Sequence, residues 1–228
     1  MYTEQRLPVV EQILNIFDEF ANTLDVVCRR GCSVCCTRNV TMTTLEGYRI
    51  HTYIRETGQS HLESAVAAAM EAPRFQPLAT LNKMAEICAA GGDPPEERVD
   101  PDWTPCPLLE NDCCTVYPAR PLACRVMVSR EVCTPQGSAG MDEFTLTMSH
   151  LFTQYLEHVD FKGLSGNLSD VLTLLADDEA RGSYAAEGSV DAGASTLLHN
   201  RPVRILMIPP ENRQQVQPWL ERLNAIDA

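Results

Sequence analysis

Two tight groups of cysteines constrain this chain more than any other feature. Cys28, Cys32, Cys35 and Cys36 fall within nine residues, and Cys106, Cys113, Cys114 and Cys124 follow about 70 residues later. Core packing gives no reason for such spacing. Soft thiolates drawn by loops to about 2.3 Å from a common centre are what tetrahedral zinc or iron–sulfur clusters require. The two groups therefore form two halves of one expected site. Cys88 and Cys133 stand alone. Cys88, on an apolar helix face, is expected in the interior as a small hydrophobe; Cys133 carries no decided role.

What thiols do depends on compartment. Ten cysteines in 228 residues is about 4 %, below the roughly 8–10 % of short secreted disulfide scaffolds. The start, Met1-Tyr2-Thr3-Glu4-Gln5-Arg6, carries acid and amide where a secretory signal has a basic patch and an apolar core. No apolar run approaches the roughly 18 residues of a membrane span. A soluble, cytoplasmic protein is expected, in which clustered cysteines serve metal binding or redox chemistry. Lys and Arg number 18 against 31 Asp and Glu, a net charge of −13. That balance excludes general binding to nucleic-acid backbones, which needs clustered cations. Nothing in the sequence sets an oligomeric state.

The frame is predicted to be mainly α, one helical domain with a small irregular β-hairpin that bears cysteines. Val10, Ile13, Leu14, Phe17, Phe20, Ala21, Leu24 and Val27 recur at steps of three and four, predicting a helix that Pro8 starts and Arg29-Arg30-Gly31 ends. Thr43 and Glu46 form a capping box for a second helix reaching Gly58. Further helices are expected over 62–72, 78–92, 144–159 and 169–180. Between them lies an acidic, proline-rich connection, Asp93 to Trp103. Glu110-Asn111-Asp112 is turn chemistry between two β-prone runs, hence the hairpin. Gly182 to Thr196 predicts a mobile loop, Val203–Ile208 a strand, and Trp219–Ile226 a short helix that Pro218 starts. Residues 1–181 are thus taken as the metal-binding domain, with motif blocks 28–46 and 106–125, and 182–228 as an appendage.

Around the expected site, Arg29 and Arg30 would lower thiol pKa values and offset the charge of bound thiolates. The turn Tyr117-Pro118-Ala119-Arg120-Pro121 would hold Cys124 in place. Arg120 and Arg125 flank that cysteine, as donors to cluster sulfur or an anionic ligand, or as salt-bridge partners. His51 lies on the helix after the first group, but a solvated or core role fits it better; His150 and His158 decorate another helix. Four-thiolate zinc and iron–sulfur centres accept the same ligands, and eight cysteines could serve one centre with spare thiols or two centres; one or two iron–sulfur clusters, [4Fe–4S] in type, are the preferred expectation with zinc the alternative.

These blocks resemble the YkgJ-type cysteine-cluster family, also described as the CxxCxxCC zinc- or iron-chelating domain. Cys28-Arg-Arg-Gly-Cys32-Ser-Val-Cys35-Cys36 resembles its opening motif, and Val40 to Glu46 the run that follows. Cys106-Pro-Leu-Leu109, Cys114-Thr-Val-Tyr117 and Arg120-Pro-Leu-Ala-Cys124-Arg125 resemble its closing blocks. The resemblance spans residues 25 to 130. Cys113 is additional to the pattern, so the ligand of the vicinal pair stays open. The resemblance implies a metal site and, through flagellin lysine N-methylases that share the domain, an iron–sulfur cluster and a protein or peptide substrate. No SAM-binding motif accompanies it. Cys28-x3-Cys32-x2-Cys35 also equals the radical SAM spacing. Those enzymes place it after the first strand of a large barrel, whereas here it follows a helix and Val34 stands where an aromatic is usual.

Overall fold

The apolar stripe of the first segment folds as helix α1 (Tyr2–Ala21) in a computed structural model that describes residues 1–97, 103–135, 139–191, 193 and 195–226. There follow β1 (Thr41–Thr43), α2 (Thr44–Glu56), α3 (His61–Ala69), α4 (Leu81–Ala89), β2 (Leu109–Glu110), β3 (Cys113–Cys114), α5 (Leu122–Val126), α6 (Glu143–Val159), β4 (Leu164–Asn167), α7 (Leu168–Ala176), α8 (Asp178–Glu187), β5 (Leu198–His199) and α9 (Arg213–Asn224). The fold is mainly α, with a three-stranded antiparallel sheet β1-β4-β5 and the separate hairpin β2-β3. Among the described residues, no helix is long and apolar enough to cross a membrane.

α1 is the central helix, packed against α2, α6, α8 and α9. Its Val10, Ile13, Leu14, Phe17 and Phe20 are buried, at the three- and four-residue steps that set one face of a helix. The Phe17 ring meets Phe152 edge to face, and Phe20 meets Phe144 and Trp219 in the same way. The helix stops at Ala21, six residues before the stripe does. The Thr23 hydroxyl donates to the Phe20 carbonyl, 2.7 Å, and the Val27 N–H donates to the Ser129 carbonyl, 2.9 Å. A backbone pairing with a distant segment replaces the next helical turn, and Val27 is left 44 % exposed. Pro8 lies inside the helix rather than at its start.

Thr43 and Glu46 form the expected capping box: Thr43 Oγ1 accepts from the Glu46 N–H and Glu46 Oε2 from the Thr43 N–H. The second oxygen of Glu46 accepts from the Leu122 N–H at the start of α5, 2.7 Å. One buried carboxylate thus caps two helices and fixes where α5 begins. Burial pushes the Glu46 pKa up. Glu157 does the same for α4, accepting from the Leu81 and Asn82 N–H groups at 2.7 and 2.8 Å.

Burial pushes the Glu157 carboxyl up to about 7. A carboxyl whose pKa is higher folded than unfolded binds its proton more tightly in the folded state. Its contribution to stability therefore falls as pH rises from about 4.5 to about 7 and is level above that. Urea midpoints measured across that window should decline less steeply for Glu157→Gln than for the natural chain; an unchanged slope would refute the shift.

The last quarter differs most from expectation. The expected helix over 169–180 breaks at Asp177 (ψ 124°), whose side chain caps α8 by accepting from the Ala180 N–H, 2.8 Å. α8 then runs through residues expected to be a mobile loop, because Tyr184 is fully buried and anchored to Asp160, 2.6 Å. Residues 192 and 194 of that loop lie outside the described residues, as do 98–102 of the acidic connection. The third sheet strand is Leu198–His199, paired with β4. Val203–Ile208 is irregular: buried Gln154 donates to the Ile205 carbonyl, 2.8 Å, and accepts from the Met207 N–H, 2.9 Å. A side-chain amide supplies the bonds a neighbouring strand would otherwise make. α9 begins at Arg213 and contains Pro218 rather than starting there. With residue 182 inside α8, β5 in the sheet and α9 against α1, these elements of the expected appendage are built into the helical body.

Candidate metal centre

The cysteines sit where irregular chain is laced to irregular chain. Between α1 and β1, turns at Gly31 (φ 87°), Cys32 and Cys36 fold the first group into a compact loop. A short antiparallel ladder then joins this loop to the second group. The Arg38 N–H donates to the Thr104 carbonyl, 3.0 Å, Thr37 bridges Pro105, and the Cys106 N–H donates to the Cys36 carbonyl, 2.9 Å. The Ser33 hydroxyl donates to Asp112 Oδ1 at the hairpin tip, 2.8 Å. The groups separated in sequence are thus neighbours in backbone.

The hairpin turns at Asn111 (φ 49°) and Asp112 (φ 60°), left-handed residues of the kind a two-residue hairpin loop demands. Its register pairs Leu109 with Cys114 and Glu110 with Cys113. Adjacent strand residues face opposite ways. Cys114 packs against the core while Cys113 is exposed, on the face where Glu110 meets His61 at 3.0 Å. Strand alternation therefore separates a vicinal pair that spacing left unresolved. Cys124 lies on α5, whose start Glu46 fixes.

The loop, hairpin and α5 border a cavity of about 240 Å³ lined by Cys28, Cys32, Cys35, Cys36, Cys114 and Cys124. All ten cysteines carry free thiols. Cys35 is lowered to about 6, chiefly because it accepts a hydrogen bond from the Cys36 thiol. Cys36 is correspondingly pushed up, by that shared proton and then by burial. Burial raises Cys106 to about 11 and raises Cys28, Cys114 and Cys124. The thiol charges of Cys106, Cys114 and Cys35 add to the effect at Cys124. Such crowding is relieved by a soft cation, which takes the place of the protons.

The arginines divide the work. Arg125 is buried and clamps α5: it pairs with Asp18 of α1 and donates to the Arg120 and Pro118 carbonyls at 3.2 and 3.3 Å. Arg120 stacks on the Tyr117 ring, 3.9 Å from its centroid, with Arg30 on the same ring at 5.6 Å. The Arg120 charge opposes the upward shifts of Cys114 and Cys124, and Arg29, Arg120 and Arg125 all border the cavity. His51 lies elsewhere, beside Glu63 of α3 at 3.7 Å. His158 Nδ1 accepts from the Val203 N–H.

Of the two single cysteines, one departs from expectation. Cys88 is exposed on α4, not interior. Cys133 is only partly buried, and its charge acts on Cys28. Its place nine residues after Cys124 was the one sequence signal for it. In this arrangement, no three His, Cys, Asp or Glu side chains among the described residues are gathered tightly enough to hold a metal ion. Binding one therefore requires the loops to draw in. The donor set suits a thiophilic centre nonetheless: free thiols, few carboxylates among them, and cations alongside. Compared with family models, curated proteins and solved structures, the chain matches none.

Proposed function

We propose that the chain is a thiolate metal-binding protein of the YkgJ type that carries an iron–sulfur centre. The observation that supports this most is the backbone pairing from Cys36 to Cys106, beside which Cys114 and Cys124 of the second group border one cavity with the four cysteines of the first. Free thiols in this number suit a reducing compartment, the cytoplasm. When bound, such a cluster supplies electron transfer or a Lewis-acidic iron. The chain's own residues hold the cysteine loop and hairpin together, offset thiolate charge through Arg120, and fix Cys124 through Glu46 and Arg125. The substrate class that the resemblance supports is a protein or peptide.

Anaerobic purification, with an absorption spectrum and assays for iron, zinc and acid-labile sulfide, tests this. Broad absorption near about 400 nm with matching iron and sulfide is the expected result. A colourless protein holding stoichiometric zinc would replace it with a closed, structural site that shapes a partner-binding surface. Cys88→Ala should leave metal content unchanged, because that thiol stands exposed on α4 away from the cavity. Loss of metal in this variant would show that the ligand set is wrong.

A further inference from the structure

A second cavity, away from the cysteines, lies where β1, α4, α5 and α6 meet. We propose that it binds a small organic cation, an ammonium head on a short apolar body, which Glu157 and Glu46 recognise from below.

The cavity measures about 210 Å³, more than the roughly 150 Å³ that holds a benzene ring. Most of its wall is hydrocarbon. Met42, Leu81, Leu122 and Leu156 line it and are buried, while Phe75 and Met84 line it half-buried. His150 and Thr153 of α6 are half-buried too, so the space is in reach of solvent. A concave, mainly apolar site with a few convergent polar groups is the usual form of a small-molecule pocket.

The polar groups are carboxylates without a cation. Glu46 and Glu157 border the cavity and are only 3 % and 4 % exposed. The Leu81 and Asn82 N–H groups and the Thr80 hydroxyl donate to Glu157, which leaves one of the roughly four acceptor positions of a carboxylate. Among the described residues that line the cavity there is no lysine or arginine. Arg49, whose charge acts on Glu46, is paired with Glu11. The Glu46 charge bears on Glu157 in turn, and Glu97 adds a third carboxylate to the lining. Buried negative charge is costly until a cation meets it.

The cation that fits is organic. Among the described residues, no three His, Cys, Asp or Glu side chains are gathered for a metal ion, whereas the apolar wall suits a hydrocarbon body. An ammonium head donates charge-assisted hydrogen bonds to carboxylates. The His150 ring, which burial keeps uncharged, can accept a further one. α5 gives Leu122 and Ala123 to this cavity and Cys124 and Arg125 to the cysteine cavity, so the two share a helix. Binding here needs no metal, and its success or failure is independent of the thiolate reading.

The test is calorimetric titration of the full chain with hexylammonium, hexanol and hexanoate, which share a body and differ in the head. It is run at about pH 8, above the value of about 7 to which burial pushes Glu157. Hexylammonium should bind saturably, one per chain, hexanol at least about tenfold more weakly, and hexanoate not at all. Glu157→Gln keeps the shape and removes the charge, so it should weaken hexylammonium about tenfold and leave hexanol unchanged. Thr153→Phe fills the cavity from a half-buried position and should abolish both. Circular dichroism checks each variant; where Glu157→Gln loses helix, the contrast between ammonium and alcohol and the Thr153→Phe result decide. Equal affinity for the two heads, or full hexylammonium binding in a folded Glu157→Gln, overturns the cation class. Saturable binding of no probe, or binding that survives Thr153→Phe, overturns the site.

Discussion

Asp160→Ala should destabilise the chain by about 4 kcal/mol, a large fraction of the roughly 5–15 kcal/mol a domain has. Asp160 is fully buried just past the end of α6. Its carboxyl accepts from the hydroxyls of Tyr184 (2.6 Å), Thr44 (2.7 Å) and Tyr2 (3.4 Å), from the Leu45 N–H (3.0 Å) and from Asn200 (3.3 Å). These donors come from α8, α2, α1 and the chain after β5. Truncation strands the Tyr184 and Thr44 hydroxyls and the Leu45 N–H, while Tyr2 keeps the Val159 carbonyl (3.1 Å) and Asn200 the Asp160 main-chain carbonyl (3.0 Å); each unsatisfied buried donor costs on the order of 1–3 kcal/mol before relaxation. Gly163 belongs to the same packing, since a side chain there would run into Thr44 and the Asp160 carboxylate. Asp160→Asn keeps one acceptor and should cost roughly half as much. Equilibrium urea unfolding distinguishes these outcomes. Equal losses in both variants would mean that shape rather than hydrogen bonding holds the junction.

Cys124→Ala should lower bound metal and, in the metal-loaded protein, lower the thermal midpoint. A ligand present at about 1,000 times its dissociation constant adds about 4 kcal/mol to the folded state, and losing a centre forfeits that term. Cys124 stands on α5, between Arg125, which ties the helix to α1, and Glu46, which caps it. Loss of a ligand there also loosens the element that carries it. Cys32→Ala should likewise reduce metal, with a smaller change in the metal-free protein, because Cys32 is exposed. Metal analysis paired with differential scanning calorimetry, with and without chelator, reads both effects. Full metal content and unchanged stability in Cys124→Ala would mean that the second cysteine group is not part of the site.

Much of the helical frame was legible in the sequence because its signals are local. The apolar stripe of α1, the Thr43–Glu46 box and the Asn111-Asp112 turn act over a few residues, and each appears where expected. The failures share a different cause. α1 ends early because Val27 bonds to Ser129; Val203–Ile208 is irregular because Gln154 satisfies its backbone; 182–187 is helical because Tyr184 finds Asp160. In each, a partner far along the chain outbids local propensity.

The same division holds at the cysteines. Spacing marked eight thiols, and apolar periodicity a mainly α frame. Which member of the vicinal pair turns inward was decided by strand alternation in a hairpin whose register only the fold sets. That the segment after α5 returns to Cys28 through Ser129, and that Arg125 clamps α5 to α1, was decided by tertiary hydrogen bonds and an ion pair. Residue type and short-range spacing set what chemistry the chain can do. Which sulfurs meet depends on contacts between residues up to a hundred apart, whose geometry no local pattern encodes.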